Sequence, residues 1–355
     1  MEVIRALQLS FTSGIGNITI KKLIEKYKRF ENIFELSHIQ LSKDIGDKLA
    51  SLILKDKEAY KKAVKEYEKA QRLNITLVPL SDDNYPINLK NIPDPPPVLY
   101  IKGIFPFSDM SVSIVGTRNV SSYGRFITQK FSKELSENSI SIVSGLALGV
   151  DTIAHKTTLE NSGFTVAVLG CGVDIIFPKE NLSLYRDILK NGCIVSELPI
   201  GTRPTKYTFP KRNRIIAGLS LATIVSQAPM KSGALITAKY ANEYGRLVFS
   251  VPANINDKSS EGNNYLLKEG AFPLTQVEDI FMQIPYLKKK GVDKKEEKIL
   301  SDLEKDILNI LNEPHHIDML VEITGLNISE LSIILFEMEL KQLVKNDNGV
   351  YIKTV

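Results

Sequence analysis

The feature that most restricts this chain is a series of short, almost wholly apolar, β-prone runs between residues 112 and 250. They fall at 112–115, 141–143, 165–169, 194–196, 222–225 and 246–250. A strand with one wet face alternates apolar and polar residues, whereas a strand covered on both faces need not. Helical spacing fills the gaps at 123–136, 149–161, 213–219 and 233–244. This alternation predicts an α/β fold, a mostly parallel Rossmann-like sheet with helices on both faces.

Different patterns flank that centre. Residues 1–75 read as a helical domain. Its segment LSFTSGIGN, ending at Asn17, precedes a second helical run and has the form of a helix-hairpin-helix, with Gly14 and Gly16 permitting the tight turn. Asp44–Ile45–Gly46–Asp47 is a weaker echo. Such a hairpin either offers backbone amides to phosphates or serves as a protein-contact module. A strand at 76–80 and the proline-rich Pro93–Asp94–Pro95–Pro96–Pro97 open the central domain, read as 76–285. Residues 286–298 carry six lysines and few large apolar residues, the mark of a linker. Residues 299–355 hold three short helical patterns and an Asn348–Gly349 hairpin signal, which together predict a winged helix. Asn327 with Glu330 supplies a capping-box-like start for its third helix.

Composition narrows the function classes. With 43% hydrophobic residues in 355 the chain can bury a full core, yet no apolar run approaches a membrane span of roughly 20 residues. The N-terminus lacks a signal-peptide pattern. Cys171 and Cys193 are the two cysteines and stand in no metal-ligand spacing, which suits a reducing cytoplasm and predicts neither disulfide nor metal site.

The candidate site lies at the strand-to-helix turns. The first strand runs into Gly116–Thr117–Arg118–Asn119, and two more turns are Ser144–Gly145 and Ser232–Gly233. Such turns place backbone amides and positive helix ends at the carboxyl edge of the sheet, a ready anion site. Neither GxGxxG nor GxxxxGK[ST] occurs. The sharpest signal is Arg203–Pro204–Thr205–Lys206–Tyr207–Thr208–Phe209–Pro210–Lys211–Arg212–Asn213–Arg214, five cations within twelve residues. No Asp or Glu occurs from Leu198 to Asn242, nor from Ser111 to Lys133. A tract this cationic fits a polyanion better than a small metabolite. Tyr207 and Phe209 among the cations point to unstacked bases, hence to single strands. The plainer readings are that Phe209 is a core aromatic anchoring the loop and that Arg214 pairs with a carboxylate such as Glu197.

The order and spacing of several strings resemble the bacterial DNA-processing (DprA/Smf) family over nearly the whole chain. They include Ile114–Val115–Gly116–Thr117–Arg118, the run SGLALGVD at 144–151, FPKRNRIIAG at 209–218 and SGALITA at 232–238. The resemblance implies an extended Rossmann domain that dimerises, binds single-stranded DNA and loads RecA recombinase onto it in natural transformation. It implies DNA contacts at Arg118, Lys206, Phe209, Lys211, Arg212, Asn213 and Arg214, with Gly116, Thr117, Ser144, Gly145, Ser232 and Gly233 at the phosphate-facing turns. Leu148 stands where many members carry Arg, and Gln227 where a Glu is frequent.

Catalysis is not expected, and no cofactor is. After Lys231–Ser232–Gly233 no acid follows until Glu243, so that turn lacks a general acid or base. Asp151 and His155, one helical turn apart, either pair as a base and its orienter or brace the helix. The other reading of the same fold is a nucleotide sensor or nucleotide-processing enzyme; a third is an assembly platform for partner proteins. From Ile299 onward there are ten acids against four lysines, with Glu330, Glu337 and Glu339 on the would-be recognition helix. A helix so charged is repelled by duplex DNA, so this domain is expected to bind protein or pack on its own chain.

Overall fold

The computed structural model describes residues 1–287, 301–340, 343–347 and 349–354. It forms two compact units, Met1–Lys289 and Lys290–Val355. Beyond residue 287, the expected linker lies outside the described residues.

The first unit begins with six helices: α1 (Glu2–Phe11), α2 (Asn17–Tyr27), α3 (Phe30–Glu35), α4 (His38–Ile45), α5 (Asp47–Lys55) and α6 (Lys57–Arg72). The α1–α2 and α4–α5 turns are the two glycine hairpins of the sequence, and Gly14 and Gly46 both take positive φ. The turn residues Ser13, Gly14 and Gly16 are exposed, while α2 reaches the proline-rich loop: Asn17 Nδ2 donates to Asp94 O at 3.4 Å and Lys21 Nζ to Ile92 O at 2.9 Å.

Nine strands then build one sheet in the order β1-β2-β6-β5-β4-β3-β7-β8-β9. They are β1 (Thr76–Pro79), β2 (Val98–Gly103), β3 (Ser111–Val115), β4 (Ser141–Ser144), β5 (Thr165–Val168), β6 (Gly192–Ser196), β7 (Ala222–Val225), β8 (Leu247–Ser250) and β9 (Phe272–Pro273). From β6 to β9 all pairs are parallel, while β2 pairs antiparallel with both β1 and β6. The intervening helices are the short α7 (Ile87–Lys90), then α8 (Ser122–Glu137), α9 (Val150–Glu160), α10 (Leu182–Asn191), α11 (Thr208–Leu219), α12 (Gly233–Glu243), α13 (Glu261–Lys268) and α14 (Glu278–Gln283).

Neighbouring residues of one strand point to opposite faces, and the core divides accordingly. Ile114, Ile142 and Ile224 join Phe131 of α8 and Ala154 of α9 in one apolar cluster. Val115, Val143 and Val225 join Ile216 of α11 and Ala238 of α12 in another, which continues without a break into Leu7, Phe30 and Ile53 of the N-terminal helices. Every residue of β3, β4, β5, β6 and β7 is buried. That is why these segments read as unbroken apolar runs. Among the described residues no single helix is long and apolar enough to cross a membrane.

The second unit holds α15 (Asp302–Ile310), β10 (His315–His316), α16 (Ile317–Thr324), α17 (Ile328–Leu340), β11 (Val344–Asp347) and β12 (Val350–Lys353). Its three strands form an antiparallel sheet in the order β10-β12-β11. This is the winged-helix arrangement expected from the sequence. Ser301 and Glu304 form a capping box on α15, and Asn327 Oδ1 accepts the Glu330 amide at 2.9 Å ahead of α17. Leu331, Leu335 and Met338 of α17 are buried, while Ile333 and Phe336 are exposed beside Glu337 and Glu339.

Candidate nucleic-acid interface

In the strand order β3 is the reversal point: the chain proceeds to β4 on one side and returns to β7 on the other. The turns after β3 and β7 therefore leave in opposite directions and open a crevice beyond the strand ends, where doubly wound sheets bind their ligands. A cleft of about 710 Å³ lies there. Arg118, Lys206 and Arg212, separated by up to 94 positions in sequence, all wall it. Gly116, Thr117, Phe209, Asn213, Ser232 and Gly233 complete the predicted residues that it brings together.

Two of the cations are free to meet a ligand. Arg118 and Lys206 are exposed, and among the described residues neither has a carboxylate within ion-pair distance. The Arg118 guanidinium carbon sits 6.0 Å from the Phe209 ring centroid, and Lys206 Nζ lies 5.1 Å from that of Tyr207, itself 74% exposed. Phe209 is half-buried, its ring tilted 36° against Phe177 with centroids 5.6 Å apart. A Cβ on Gly170 would come within 2.9 Å of that ring. Phe209 is thus anchored by packing and still presents a ring to the cleft. Phe177 was missed from sequence. It lies in the loop after β5, a segment to which no role is assigned from sequence.

The three turns differ in what their glycines do. A Cβ on Gly116 would lie 2.5 Å from Val150, and one on Gly145 would lie 2.4 Å from Arg212, so close packing accounts for both. Moreover, the Gly145 and Ala147 amides already donate to the Asp151 carboxylate at 3.2 and 3.3 Å. The Ser144 hydroxyl donates to Ile114 O at 2.7 Å and is buried. Ser144 and Gly145 are therefore not free phosphate-facing groups: an internal carboxylate fills their turn. At Gly233 a Cβ would meet nothing within 4 Å. The Ser232 hydroxyl accepts the Ala234 amide at 3.2 Å, capping α12 and holding that turn open towards the cleft.

The basic run divides because α11 starts at Thr208, five residues before the helix expected from sequence. Arg212 is buried, donating through Nη1 to Gly145 O at 2.6 Å and to Val168 O. It ties the β4 and β5 turns together beneath the cleft. Arg214 is not at the cleft. Its guanidinium, 3% exposed, pairs with Glu197 and donates to Asp94 O at 2.7 Å. Lys211 is exposed and 3.8 Å from Glu197, also off the cleft wall. Asn213 donates to Gly233 O at 3.2 Å, joining α11 to the third turn.

Comparison with known proteins supplies the family. Residues 76–285 match the family model described as DNA recombination-mediator protein A, and residues 293–349 match the DprA winged helix domain. The chain belongs to the DprA/Smf family. Protein Smf of Synechocystis is 35% identical over 97% of this chain and 96% of its own length. The X-ray structure of DprA from Streptococcus pneumoniae covers 80% of this chain and 99% of its own, at 36% identity and a TM-score of 0.68. A structure of Helicobacter pylori DprA, described for its single-stranded DNA binding mode, covers 60% of this chain and 96% of its own, at 32% identity and a TM-score of 0.54.

Two polar groups beneath this DprA-type cleft bear on acid chemistry. Asp151 and His155 do not pair with each other. Asp151 holds the second turn, while His155 Nδ1 meets the Thr165 hydroxyl at 2.7 Å, which in turn donates to Ile142 O at 2.9 Å. Nδ1 therefore carries the proton, and Nε2 is buried without a partner. Burial, with the nearby Arg212 charge, depresses the imidazole to about 3. Below pH 6.5 the unfolded chain takes up a proton that the folded chain refuses, so stability is present above that pH and drains away as pH falls towards 3. At about 1.36 kcal/mol per unit, the gap between pH 7.5 and 5 is about 2 kcal/mol. Asp151, raised by burial and opposed by Arg212, titrates in the opposite sense and is common to both proteins in the comparison. Urea midpoints of wild type and His155→Leu should show the acid loss shrinking in the variant. Parallel pH profiles would refute the assignment.

Proposed function

We propose that this chain binds single-stranded DNA in the cleft at the sheet's reversal point and, as a homodimer in the cytoplasm, loads RecA recombinase onto that strand during natural transformation. The observation that carries the reading is the pairing of two unpartnered cations, Arg118 and Lys206, with the Phe209–Phe177 ring pair on one cleft wall. Exposed cations answer phosphates, and rings answer bases only when those bases are unstacked. The H. pylori structure supports the strand as ligand, and the recombination-mediator family supports the recombinase as partner. Binding without turnover fits the neighbourhood: the Asp151 carboxylate is engaged by amides and the His155 ring is walled in. The acidic α17, with Ile333 and Phe336 exposed, suits a protein partner better than duplex DNA.

A length series from thymidine monophosphate to an oligothymidine of roughly 20 residues tests the ligand, since a strand-binding groove covers several nucleotides. Affinity should climb with length. Phe209→Ala should weaken the longer strands by about 1–3 kcal/mol, one base stack, with an unchanged salt slope. Saturable binding or hydrolysis of the mononucleotide, with no gain from length, would instead favour a nucleotide sensor or enzyme.

A further inference from the structure

A cleft of about 710 Å³ is the size of a small-ligand site, so a longer strand must leave it along some surface. We propose that the strand runs from the cleft over the loop after β6 and along a lysine ridge on α6, formed by Lys69, Lys65 and Lys62; the inference rests on the single-strand reading above.

The ridge follows from the pattern of α6. Ala59, Ala63, Glu66 and Ala70 are buried at helical spacing, so the small residues face the interior and the lysines face out. Lys61 and Arg72 are paired along the helix with Glu58 at 2.8 Å and Glu68 at 3.6 Å. Lys62, Lys65 and Lys69 have no carboxylate within ion-pair distance among the described residues, and all three are exposed. At about 1.5 Å per residue the three lysines cover about 10 Å of helix. A cationic helix face alone is ordinarily just a solvated face. What distinguishes this one is where it leads.

The end of the ridge is fastened to the loop that carries Lys206 to the cleft. Glu66, buried, accepts the Ile200 amide at 2.7 Å, and Lys69 Nζ donates to Ile200 O at 3.1 Å. The chain then turns at Gly201, whose φ is +85°, with a notional Cβ 3.6 Å from Lys69 Nζ. Exposed Arg203 comes next, and Lys206 stands three residues further on at the cleft wall. Lys62, Lys65, Lys69, Arg203 and Lys206 thus form a succession of cations on two elements bonded to each other; Leu198 to Asn242 contains no acid, and Asp174, a carboxylate this loop meets, is engaged by the Gly201 amide at 2.9 Å. A phosphodiester strand is the polyanion this continuity fits.

The test uses the full chain and fluorescent oligothymidines of about 6 and about 30 residues, titrated over a salt series. Lys62→Gln with Lys65→Gln should leave the short strand's affinity unchanged, since neither lysine touches the cleft. It should weaken the long strand by roughly 3- to 10-fold and lower its salt slope by about 1.4, at 0.7 per lost phosphate contact. Lys62→Arg with Lys65→Arg should behave as wild type. An unchanged long-strand affinity and slope, or an equal loss at both lengths, would overturn the ridge. Lys206→Ala run alongside separates the two readings. If it weakens both lengths while the glutamine pair changes neither, the ridge is wrong and the cleft reading stands. If it changes neither length, the cleft reading itself has failed.

Discussion

Replacing Arg118 and Lys206 together by alanine is expected to weaken binding to a long oligothymidine by roughly 100-fold at moderate salt. Each cation is worth about tenfold, the lower end of what a hydrogen bond to a charged group contributes. The lower end is the right choice because both side chains are exposed and water competes for them. The slope of log affinity against log salt should fall by about 1.4, two single-strand phosphate contacts. The effects should not add cleanly with Phe209→Ala. Arg118 lies over the Phe209 ring at 6.0 Å, and residues that share a partner couple. Either single variant should flatten the slope by about half as much. Affinities measured at four or five salt concentrations check this, and a slope equal to that of wild type in the double variant would remove both residues from the phosphate track. Loss of affinity with an unchanged slope would point to a damaged fold or a lost stacking surface instead.

Most of the sheet was legible because burial on both faces leaves β3 to β7 as plain apolar runs. What sequence did not show was the pairing of β2. Val98–Gly103 follows three prolines and is not among the strands expected from sequence, yet it runs antiparallel beside β6. Helices α10, α13 and α14 are short amphipathic segments between stronger signals, and periodicity over 6 to 10 residues says little. At the site, charge and aromatic content singled out Lys206 and Phe209, and the family resemblance set Arg118 beside them. Sequence could not sort the rest of the basic run, because side-chain direction depends on where α11 starts. Nor could it see that Asp151, six residues beyond Gly145, would occupy the second turn in place of a phosphate. A carboxylate near a glycine turn reads as a possible base; only the fold shows that it is a plug. Phe177, 41% exposed, lies outside every motif singled out from sequence.

Arg214 is the residue whose loss should damage the fold most while leaving the ligand track alone. Its guanidinium bonds Glu197 after β6, donates to Asp94 O at 2.7 Å and lies 3.4 Å from Asp94 Oδ2 without hydrogen-bond alignment. Asp94 also accepts from Tyr244 Oη at 3.2 Å and, through its carbonyl, from Asn17 at 3.4 Å. One arginine therefore fastens the proline-rich loop, α11 and the end of β6 where the helical segment meets the sheet. Arg214→Ala removes the main countercharge from Glu197, only 9% exposed, and leaves exposed Lys211 at 3.8 Å as a poor substitute. Breaking a buried pair from one side costs about 3–5 kcal/mol, mainly for the stranded charge, whereas removing both charges costs less. Arg214→Met should accordingly be rescued in part by Glu197→Gln, and denaturation midpoints of the two single variants and the double variant would show it. Binding supplies the contrast. At a temperature where Arg214→Met remains folded, its salt slope for oligothymidine should equal that of wild type, because the lost charge never faced the strand. A slope reduced by about 0.7, as for a phosphate contact, would return Arg214 to the cleft and show that its bond to Glu197 opens when DNA arrives.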